Sequence, residues 1–438
     1  MRMSQTSDHV APLYRRLPHG PNGMGREAVA RNQRSRLYGG MIESVSKRGY
    51  QATTVAHVIA LAGVSRRAFY ELFPNKEQCF LGAHDIVVAH ARKSVLDAWQ
   101  AERGWINRMH AACKAMLDGA AKEPKGPHLV LVDSLGIGPR ARERMQLAGL
   151  IFERIVGTAL TLAPPDVCFT QLTSRAVVAG VRHIAFNRML AGEPEQLYGL
   201  TDEVLDWIES YRTHGEVRLR TLSLVRPPHL PPAPAAFLAS DDRRARVLSS
   251  VVHLTMDEGY AELTDPQIAQ FAGVSTEAFH KQFASKEECF LTVLDEFVRE
   301  TNDAVRPALE EAASWEEGVC NAMGAFVEHL VSHQALLRLA FIDLFEVGPA
   351  MIGRMTRSVG ALTDLLTAAG PEPRRAPLIA KEAVTGAVWG IIGTYVANHR
   401  LARLPSLVDH LSYTVLAPYV GARPAIEAIQ ARHRSSEA

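Results

Sequence analysis

The chain has 438 residues, a formal net charge of +1 and an apolar fraction of 47%, which favour a globular protein with several domains. No apolar run is long enough to span a membrane, and the N-terminal sequence lacks the apolar core of a signal peptide. Five widely spaced cysteines form no CxxC pair, so neither a zinc site nor a disulfide framework is indicated and a reducing cytoplasm is expected. Residues 1–25 contain Pro, Gly and the pair Arg15-Arg16, which predict a disordered tail.

After this tail, residues 30–48 predict an amphipathic helix. Leu37, Met41 and Val45 recur at helical spacing and would lie on one face. The helix should end at Lys47-Arg48-Gly49, because basic side chains suit the negative end of a helix dipole and glycine allows the chain to turn.

The next stretch, residues 54–73, has the pattern of two short helices joined by a tight turn. Thr54 can cap the first helix, and Gly63 suits a turn that needs positive φ. Ser65 can cap the second helix, on which Phe69 would face the first helix. This pattern is typical of a helix-turn-helix whose second helix enters the major groove of DNA. On these residues alone, an ordinary helical hairpin with surface arginines is the alternative.

A longer string of residues surrounds this hairpin in a fixed order and spacing. It comprises Gly49-Tyr50, Thr53-Thr54-Val55, Ala62-Gly63-Val64-Ser65, Phe69-Tyr70, Phe73 and Asn75-Lys76-Glu77. Over residues 30–92 the string closely resembles the DNA-binding domain of the TetR family of bacterial repressors. The resemblance implies an operator in double-stranded DNA as a partner. The DNA-contacting residues it implies are Thr53, Thr54, Ser65, Arg66, Arg67, Tyr70 and Lys76.

These residues suggest two kinds of contact. Arg66 and Arg67 begin the predicted reading helix, where arginine can donate two hydrogen bonds to O6 and N7 of guanine. Tyr70 and Lys76 stand where the family commonly holds phosphates. Thr54 would serve both as a helix cap and as a phosphate donor.

The same string returns 210 residues later without a gap. Gly49-Tyr50 matches Gly259-Tyr260, and the Ala-Gly-Val-Ser turn at 62–65 returns at 272–275. Identity at both buried and exposed positions favours an internal duplication. The second helix-turn-helix therefore spans 264–283. Its weaker candidate DNA contacts are Ser275, Thr276, His280 and Lys286.

The two copies differ in charge. From Gly25 to Phe80 there are nine basic and four acidic residues, a balance of +5. From Ser240 to Phe290 there are five basic and nine acidic residues, a balance of −4. Thr276 and Glu277 replace the arginine pair. The first copy can approach phosphates, whereas the second copy should be repelled by them on average.

The repeat continues beyond the helix-turn-helix segments, which implies a TetR-like regulatory domain in each half. The family's regulatory domains hold small-molecule effectors, so an unidentified effector is expected here too. The same apolar residues are also consistent with an ordinary core. The candidate lining residues are Trp105, Met109, Met116 and Phe186 in the first half and Trp315, Met323, Phe326 and Trp389 in the second half.

Late in each half the register of the repeat changes to 207 residues. The segments that match there resemble the family's dimerisation helices, and small residues such as Gly180, Gly386 and Gly390 would permit close helix packing. On composition alone, plain buried helices are an equally good interpretation. An intramolecular pseudo-dimer is therefore predicted, and a further homodimer of whole chains stays open. The predicted domains are a tail (1–25), a first DNA-binding domain (26–92), a first regulatory domain (93–225), a Pro-rich linker (226–239), a second helix-turn-helix domain (240–302), a second regulatory domain (303–425) and a tail (426–438).

Enzymatic patterns are absent from the sequence: there is no GxSxG, no HExxH and no glycine-rich phosphate loop. His329 and His333 are spaced for one helix face but lack further metal ligands, so they favour a packing role. The sequence thus predicts an all-α, cytoplasmic, ligand-responsive repressor without catalytic residues, metal, cofactor or membrane partner. It would bind DNA mainly through the first helix-turn-helix. The alternative is a protein-interaction adaptor whose second helix-turn-helix is degenerate and whose DNA binding is weak or indirect.

Overall fold

The computed structural model describes residues 26–165, 167–170, 172–214, 235–239, 242–347, 349–368 and 379–437. The predicted tail 1–25 and the Pro-rich residues 226–234 lie outside the described residues. Within these ranges the chain is helical apart from one antiparallel pair of two-residue strands, β1 (Val167–Cys168) and β2 (Thr213–His214). The prediction of an all-α fold is confirmed. We call residues 26–214 the first half and residues 242–437 the second half.

The first headpiece is the group of helices that begins the first half, and it follows the predicted pattern closely. Thr54, Ser65 and Asn75 cap the second, third and fourth helices through their side-chain oxygens. Gly49, at a kink near the end of the first helix, and Gly63, which caps the end of the second helix, take positive φ. The helices are α1 (Arg26–Ala52), α2 (Val55–Ala62), α3 (Arg66–Leu72) and α4 (Lys76–Ala101).

The second headpiece repeats this arrangement, with Phe279 and Phe290 in its core at the positions of Phe69 and Phe80. Its helices are α10 (Arg243–Glu258), α11 (Asp265–Phe271), α12 (Thr276–His280) and α13 (Lys286–Glu310). Both α4 and α13 run on past the predicted domain boundaries at 92 and 302. Each headpiece therefore shares a continuous helix with the regulatory part that follows it.

The regulatory part of each half is a helical bundle, and the two bundles share unusual details such as a π-helical turn. In the first half it contains α5 (Trp105–Lys122), α6 (Lys125–His128), the π-turn Leu129–Asp133, α7 (Pro139–Thr161), α8 (Thr173–Ala191), a 3-10 turn (Pro194–Leu197) and α9 (Thr201–Glu209). In the second half it contains α14 (Trp315–Ser332), α15 (Gln334–Arg338), the π-turn Leu339–Asp343, α16 (Leu344–Val347), α17 (Pro349–Ala368), α18 (Ala380–Ala397), a 3-10 turn (Leu401–Leu407), α19 (Val408–Val420) and α20 (Ala422–Glu437).

The halves meet where α8 packs along α18. A Cβ built on Gly386 would lie 2.3 Å from Cβ of His183, and one built on Gly390 would lie 2.3 Å from Cβ of Ala179. At the shift of 207 residues, Ala179 corresponds to Gly386 and His183 corresponds to Gly390. Interchanging the two halves therefore converts each of these contacts into the other. Self-complementary contacts of this kind are typical of an isologous, two-fold interface.

Two further contacts across this interface lie at equivalent positions of the two halves, but they differ in chemistry. Arg188 forms an ion pair with Glu382 at 2.9 Å. At the exchanged positions, the guanidinium of Arg175 lies 5.9 Å from the centre of the Tyr395 ring. The interface has therefore kept its pairing positions while the side chains have diverged.

Two segments differ from their predicted state. Residues 426–437 belong to α20, whose Ala425, Ile426 and Ile429 are buried where the helix packs on α14 and α19. The prediction of a tail there is wrong, because these apolar residues recur at helical spacing. Residues 235–239, the end of the predicted linker, form a short 3-10 turn (Ala236–Leu238) whose amides donate to Glu300.

Candidate nucleic-acid interface and ligand cavity

Helix α3 presents a basic face to solvent. Arg66 and Arg67 are exposed, and the Tyr70 side chain is 46% exposed. Nε of Arg67 donates to Glu71 at 2.8 Å, and the Arg66 guanidinium lies 5.8 Å from the centre of the Tyr70 ring. An exposed pair between residues four apart contributes little to stability. Both arginines are therefore available to bind an anion or a base edge.

Side-chain caps fix the helix starts around this face. Oγ of Ser65 accepts from the amide of Ala68 at 3.1 Å, which sets the start of α3. Oγ1 of Thr54 accepts from the amide of His57, and the His57 ring nitrogen accepts from the amide of Thr54. Thr54 and Ser65 are both exposed. Neither hydroxyl donates to another residue that the structure describes, so each is available to an external acceptor.

Thr53 is placed differently from its prediction as a DNA contact. Its side chain is in the core, with 1% exposure, and its hydroxyl donates to the carbonyl of Gly49 at 2.8 Å. The hydroxyl of Ser44 lies 3.3 Å away. Thr53 therefore fixes the turn between α1 and α2 and cannot reach DNA.

Lys76 also has a structural task that the sequence did not predict. Its Nζ donates to the carbonyls of Tyr50 and Thr53, each at 2.9 Å, and lies 4.0 Å from the centre of the Tyr50 ring. Burial lowers the pKa of this ammonium group. Two of its three N–H groups are thus directed at the end of α1, so at most one can serve a phosphate.

Lys286 makes the same contacts in the second headpiece. Its Nζ donates to the carbonyls of Tyr260 and Leu263, at 3.2 and 2.7 Å. Retention of this lysine in both headpieces is explained by the shared need to bind these carbonyls. It therefore gives no support to DNA binding by the second headpiece.

The exposed face of α12 has a different chemistry from that of α3. Thr276, Glu277 and His280 are exposed, and Glu277 forms an ion pair with Lys281 at 2.8 Å. Nε2 of His280 lies 3.7 Å from the Asp265 carboxylate. Ser275 caps the helix as Ser65 caps α3. The second headpiece keeps the scaffold of the first without its basic face.

A large cavity of about 1430 Å³ lies in the first half. Its wall is formed by α5, α6, α7 and α8 of the regulatory part, by α4, and by the middle of α1 and the end of α2 in the headpiece. The wall includes Met109 and Met116, as predicted. It does not include Trp105, whose indole donates to the carbonyl of Ala159 at 2.8 Å, or Phe186, which is buried in the core.

The candidate pocket residues of the second half pack against other side chains. Met323 and Phe326 are buried in the core. The indole of Trp315 donates to the carbonyl of Leu366 at 2.8 Å, which repeats the bond of Trp105. Trp389 stacks on Phe341 with 3.8 Å between ring centres. In the described part of the second half, these four residues therefore pack within the protein.

Neither a metal nor a membrane is indicated by the described part of the chain. It holds no group of three or more His, Cys, Asp and Glu side chains close enough to bind a metal ion. The rings of His329 and His333 lie 4.3 Å apart, and burial, with a smaller effect of His333, lowers the pKa of His329 to about 4. No helix in these ranges is both long and apolar enough to cross a bilayer.

Comparison with known proteins identifies similar domains and chains. The sequence model described as "Bacterial regulatory proteins, tetR family" matches residues 42–83 and again residues 248–293. The transcriptional activator FasR of Mycolicibacterium smegmatis is 28% identical over 148 residues, which cover 33% of this chain and 68% of that protein. The transcriptional regulator EthR of Mycobacterium tuberculosis is 26% identical over 151 residues, which cover 32% of this chain and 68% of that protein.

A solved structure of the fatty acid degradation regulator FadR from Bacillus halodurans also matches. It is 19% identical, with a TM-score of 0.36, and the match covers 40% of this chain and 94% of that chain.

The two segments that the family model matches, residues 42–83 and 248–293, lie within the two headpieces. Each includes a complete helix-turn-helix, α2–α3 or α11–α12.

Proposed function

We propose that this chain, a member of the TetR family in which the family unit is duplicated in tandem, is a ligand-responsive repressor that binds operator DNA mainly through its first headpiece. The observation that carries the proposal is the difference between the two reading helices. Helix α3 exposes Arg66, Arg67 and Tyr70, whereas α12 exposes a Glu277–Lys281 ion pair. Arginine is the side chain best suited to guanine and phosphate.

The pairing of the halves within one chain is part of this proposal. It is supported by the exchange symmetry of the α8–α18 contacts and by the close approach at Gly386 and Gly390. A TetR-like dimer holds two headpieces at a fixed separation, and one chain would do this alone. Because the two reading helices differ, the operator should not be a palindrome.

The response to a ligand is supported by the position of the cavity. Its wall includes Gly40 of α1 and Leu61 of α2 as well as residues of the regulatory helices. A ligand there would contact both the headpiece and the bundle, so its binding energy could change the orientation of α3. Repression follows most simply, because a protein that occupies an operator excludes others from it. No catalytic step is required.

The test is a gel-shift titration of the full chain with the promoter of its own gene at several salt concentrations. We expect specific binding whose affinity falls steeply as salt rises, because basic side chains release counterions from DNA. Footprinting should show one strongly protected half-site. Equal affinity for the promoter and for random DNA at every salt concentration would refute the proposal.

A second candidate function, a protein-interaction adaptor, is favoured by one observation. Phe271 on α11 is 55% exposed at the edge of an acidic headpiece. In this case the chain would act through another regulator. The same titration separates the candidates, because an adaptor would shift the promoter only in the presence of that partner.

A further inference from the structure

We propose that the cavity of the first half is a single effector site per chain, and that it takes an amphipathic anion whose charge pairs with Arg182. An aliphatic carboxylate is the simplest member of this class. The inference rests on the proposed function, since it names the effector of the same regulator. It depends on the position of Arg182 and on the chemistry of the cavity wall. It also depends on the side chains that stand at the corresponding positions of the second half.

Arg182 lies on α8 with protein around it, yet its side chain is exposed, because it lines the open space of the cavity. The surrounding protein lowers the pKa of its guanidinium from the ordinary arginine value. It makes neither a hydrogen bond nor an ion pair with any residue that the structure describes. Glu153 acts on it only at longer range and bonds instead to Arg175 at 3.1 Å. A ligand that supplies the opposite charge would therefore gain a charge-assisted hydrogen bond to Arg182, which is stronger than one between neutral groups.

The wall of the cavity is mainly apolar. Val87, Trp99, Met109, Met116 and Leu131 all contribute to it. The volume of about 1430 Å³ exceeds the roughly 300–1,000 Å³ of most small-molecule pockets. A long apolar tail would therefore fit better than a compact polar ligand.

The other charged groups of the wall have partners or are exposed. Lys125 donates to Glu43 at 2.6 Å, and Arg36 donates to the carbonyl of Gly63 at 2.5 Å. The remaining ones, His90, Lys122, Glu123 and Arg154, are exposed, as Arg182 is. Arg182 has protein around it and lies beside α18 of the second half, so we assign the charged end of the ligand to this cation.

The second half fills the equivalent space with aromatic rings. Phe297 stacks on His329 with 5.5 Å between ring centres, and Phe341 stacks on Trp389 at 3.8 Å. Trp389 stands at the position of Arg182, so the charge is lost along with the space. The first-half residues at these four positions, which all line the cavity, are Val87, Gly119, Leu131 and Arg182.

The position of Arg182 also connects the ligand to the interface between the halves. A Cβ built on Gly390 of α18 would lie 3.8 Å from a guanidinium nitrogen of Arg182. An anion bound to Arg182 would thus act beside the crossing of α8 and α18. One ligand could change the angle between the halves while it contacts α1 and α2 of the first headpiece.

The test uses the purified full chain without DNA and two probes of equal length, decanoate and decanol. We expect calorimetry to give one decanoate per chain and an affinity for decanoate at least about tenfold above that for decanol, because a hydrogen bond to a charged group is worth more than one between neutral groups. Arg182→Met should remove this preference and leave decanol binding intact. The matched control is Arg154→Met, which removes an exposed arginine of the same wall and should keep the preference.

A second variant copies the second half into the first. Val87→Phe combined with Gly119→His should weaken binding of both probes by narrowing the cavity, and a Cβ on Gly119 meets no atom within 4 Å, which favours folding. Circular dichroism checks that this variant is folded. Two decanoates per chain, equal affinity for both probes, no binding of either, or an unchanged preference in Arg182→Met would overturn the inference.

Failure of the proposed function would look different. If one decanoate binds through Arg182 but operator affinity stays the same with and without it, the site is assigned correctly and the ligand-controlled repression is not. The two conclusions are therefore tested separately.

Discussion

Helix α5 of the first half buries three of its side chains, whereas α14, of the same length and at the same place in the second half, buries nine residues. The difference comes from the cavity beside α5 and from the aromatic stacks and helix α20 beside α14. The headpieces differ in parallel, since the half with the cavity also has the basic reading helix. One half thus has the cavity and the basic helix on which our proposed function depends, whereas the other half is packed more tightly at the matching helix.

What the halves share is equally informative. Lys76 and Lys286 bind the carbonyls that follow the first helix of each headpiece, and Trp105 and Trp315 bind carbonyls near the ends of α7 and α17. These bonds join elements that are distant in sequence, so loss of either partner would leave a polar group unsatisfied. The comparison therefore separates residues needed for the fold from residues free to change with function.

The largest expected effect is at the crossing of α8 and α18. Gly386→Ala places a methyl group where only 2.3 Å separates it from Cβ of His183 and 3.0 Å from the carbonyl of Ala179. Because atoms of the opposite helix cannot move aside as a flexible side chain can, we expect the free energy of unfolding to fall by about 1–3 kcal/mol. Urea denaturation measures this change.

The control is Gly149→Ala on α7, where an added Cβ meets no atom within 4 Å. It should raise stability by about 0.5–1 kcal/mol, since alanine favours a helix more than glycine does. Equal effects of the two substitutions would mean that the halves are not packed as closely in solution as this comparison requires.

The next effect concerns the reading helices. Arg66→Ala or Arg67→Ala should weaken operator binding by about 1–3 kcal/mol if the arginine contacts a base in bidentate fashion. Glu277→Ala, at the position of Arg67 in the second headpiece, should leave affinity unchanged or raise it, because a carboxylate near phosphate is repulsive. Gel-shift titrations of the three variants on one operator give the comparison.

Two outcomes would contradict the prediction that only the first headpiece reads DNA. Equal losses from Arg66→Ala and Glu277→Ala, or a footprint with perfect two-fold symmetry, would show that both headpieces read DNA. The charge difference between the headpieces would then have no bearing on operator choice.

The parts that the sequence predicted correctly are those that depend on local patterns. The caps at Thr54, Ser65 and Asn75 and the turn at Gly63 act within a few residues, so spacing alone identifies them. The duplication was readable because the register holds without a gap. Small residues at Gly386 and Gly390 also indicated a close helix crossing, although their partners were not identifiable.

The parts that the sequence did not predict depend on contacts across the fold. Thr53 looks like a surface residue beside Thr54, but its hydroxyl is held by the carbonyl of Gly49 in the core. The aromatic packing in the second half was also not predicted, because the members of each stack, Phe297 with His329 and Phe341 with Trp389, are distant in sequence. One signal was available, because Val87 and Gly119 are replaced by the larger Phe297 and His329 at an unchanged shift of 210.

The smallest expected effect concerns Lys76 and Lys286, and it tests whether these lysines serve the fold or bind DNA. Lys76→Met and Lys286→Met should each lower the free energy of unfolding by about 1–2 kcal/mol, because each leaves two backbone carbonyls without a charged donor at a partly exposed site. The exposed Lys281→Met is the control and should cost at most about 0.5 kcal/mol. Thermal and urea unfolding measure all three.

The affinity of the same variants for operator DNA is then measured at a temperature where every variant is folded. Lys76→Met should weaken binding less than Arg66→Ala does and should reduce the salt slope by less than about one unit, since only one N–H of Lys76 remains for a phosphate. Lys286→Met should leave affinity unchanged, because its headpiece lacks the basic face. If Lys76→Met left stability intact but reduced the salt slope by a full unit, the lysine would be a phosphate contact first, and its likeness to Lys286 would no longer explain why both halves keep it.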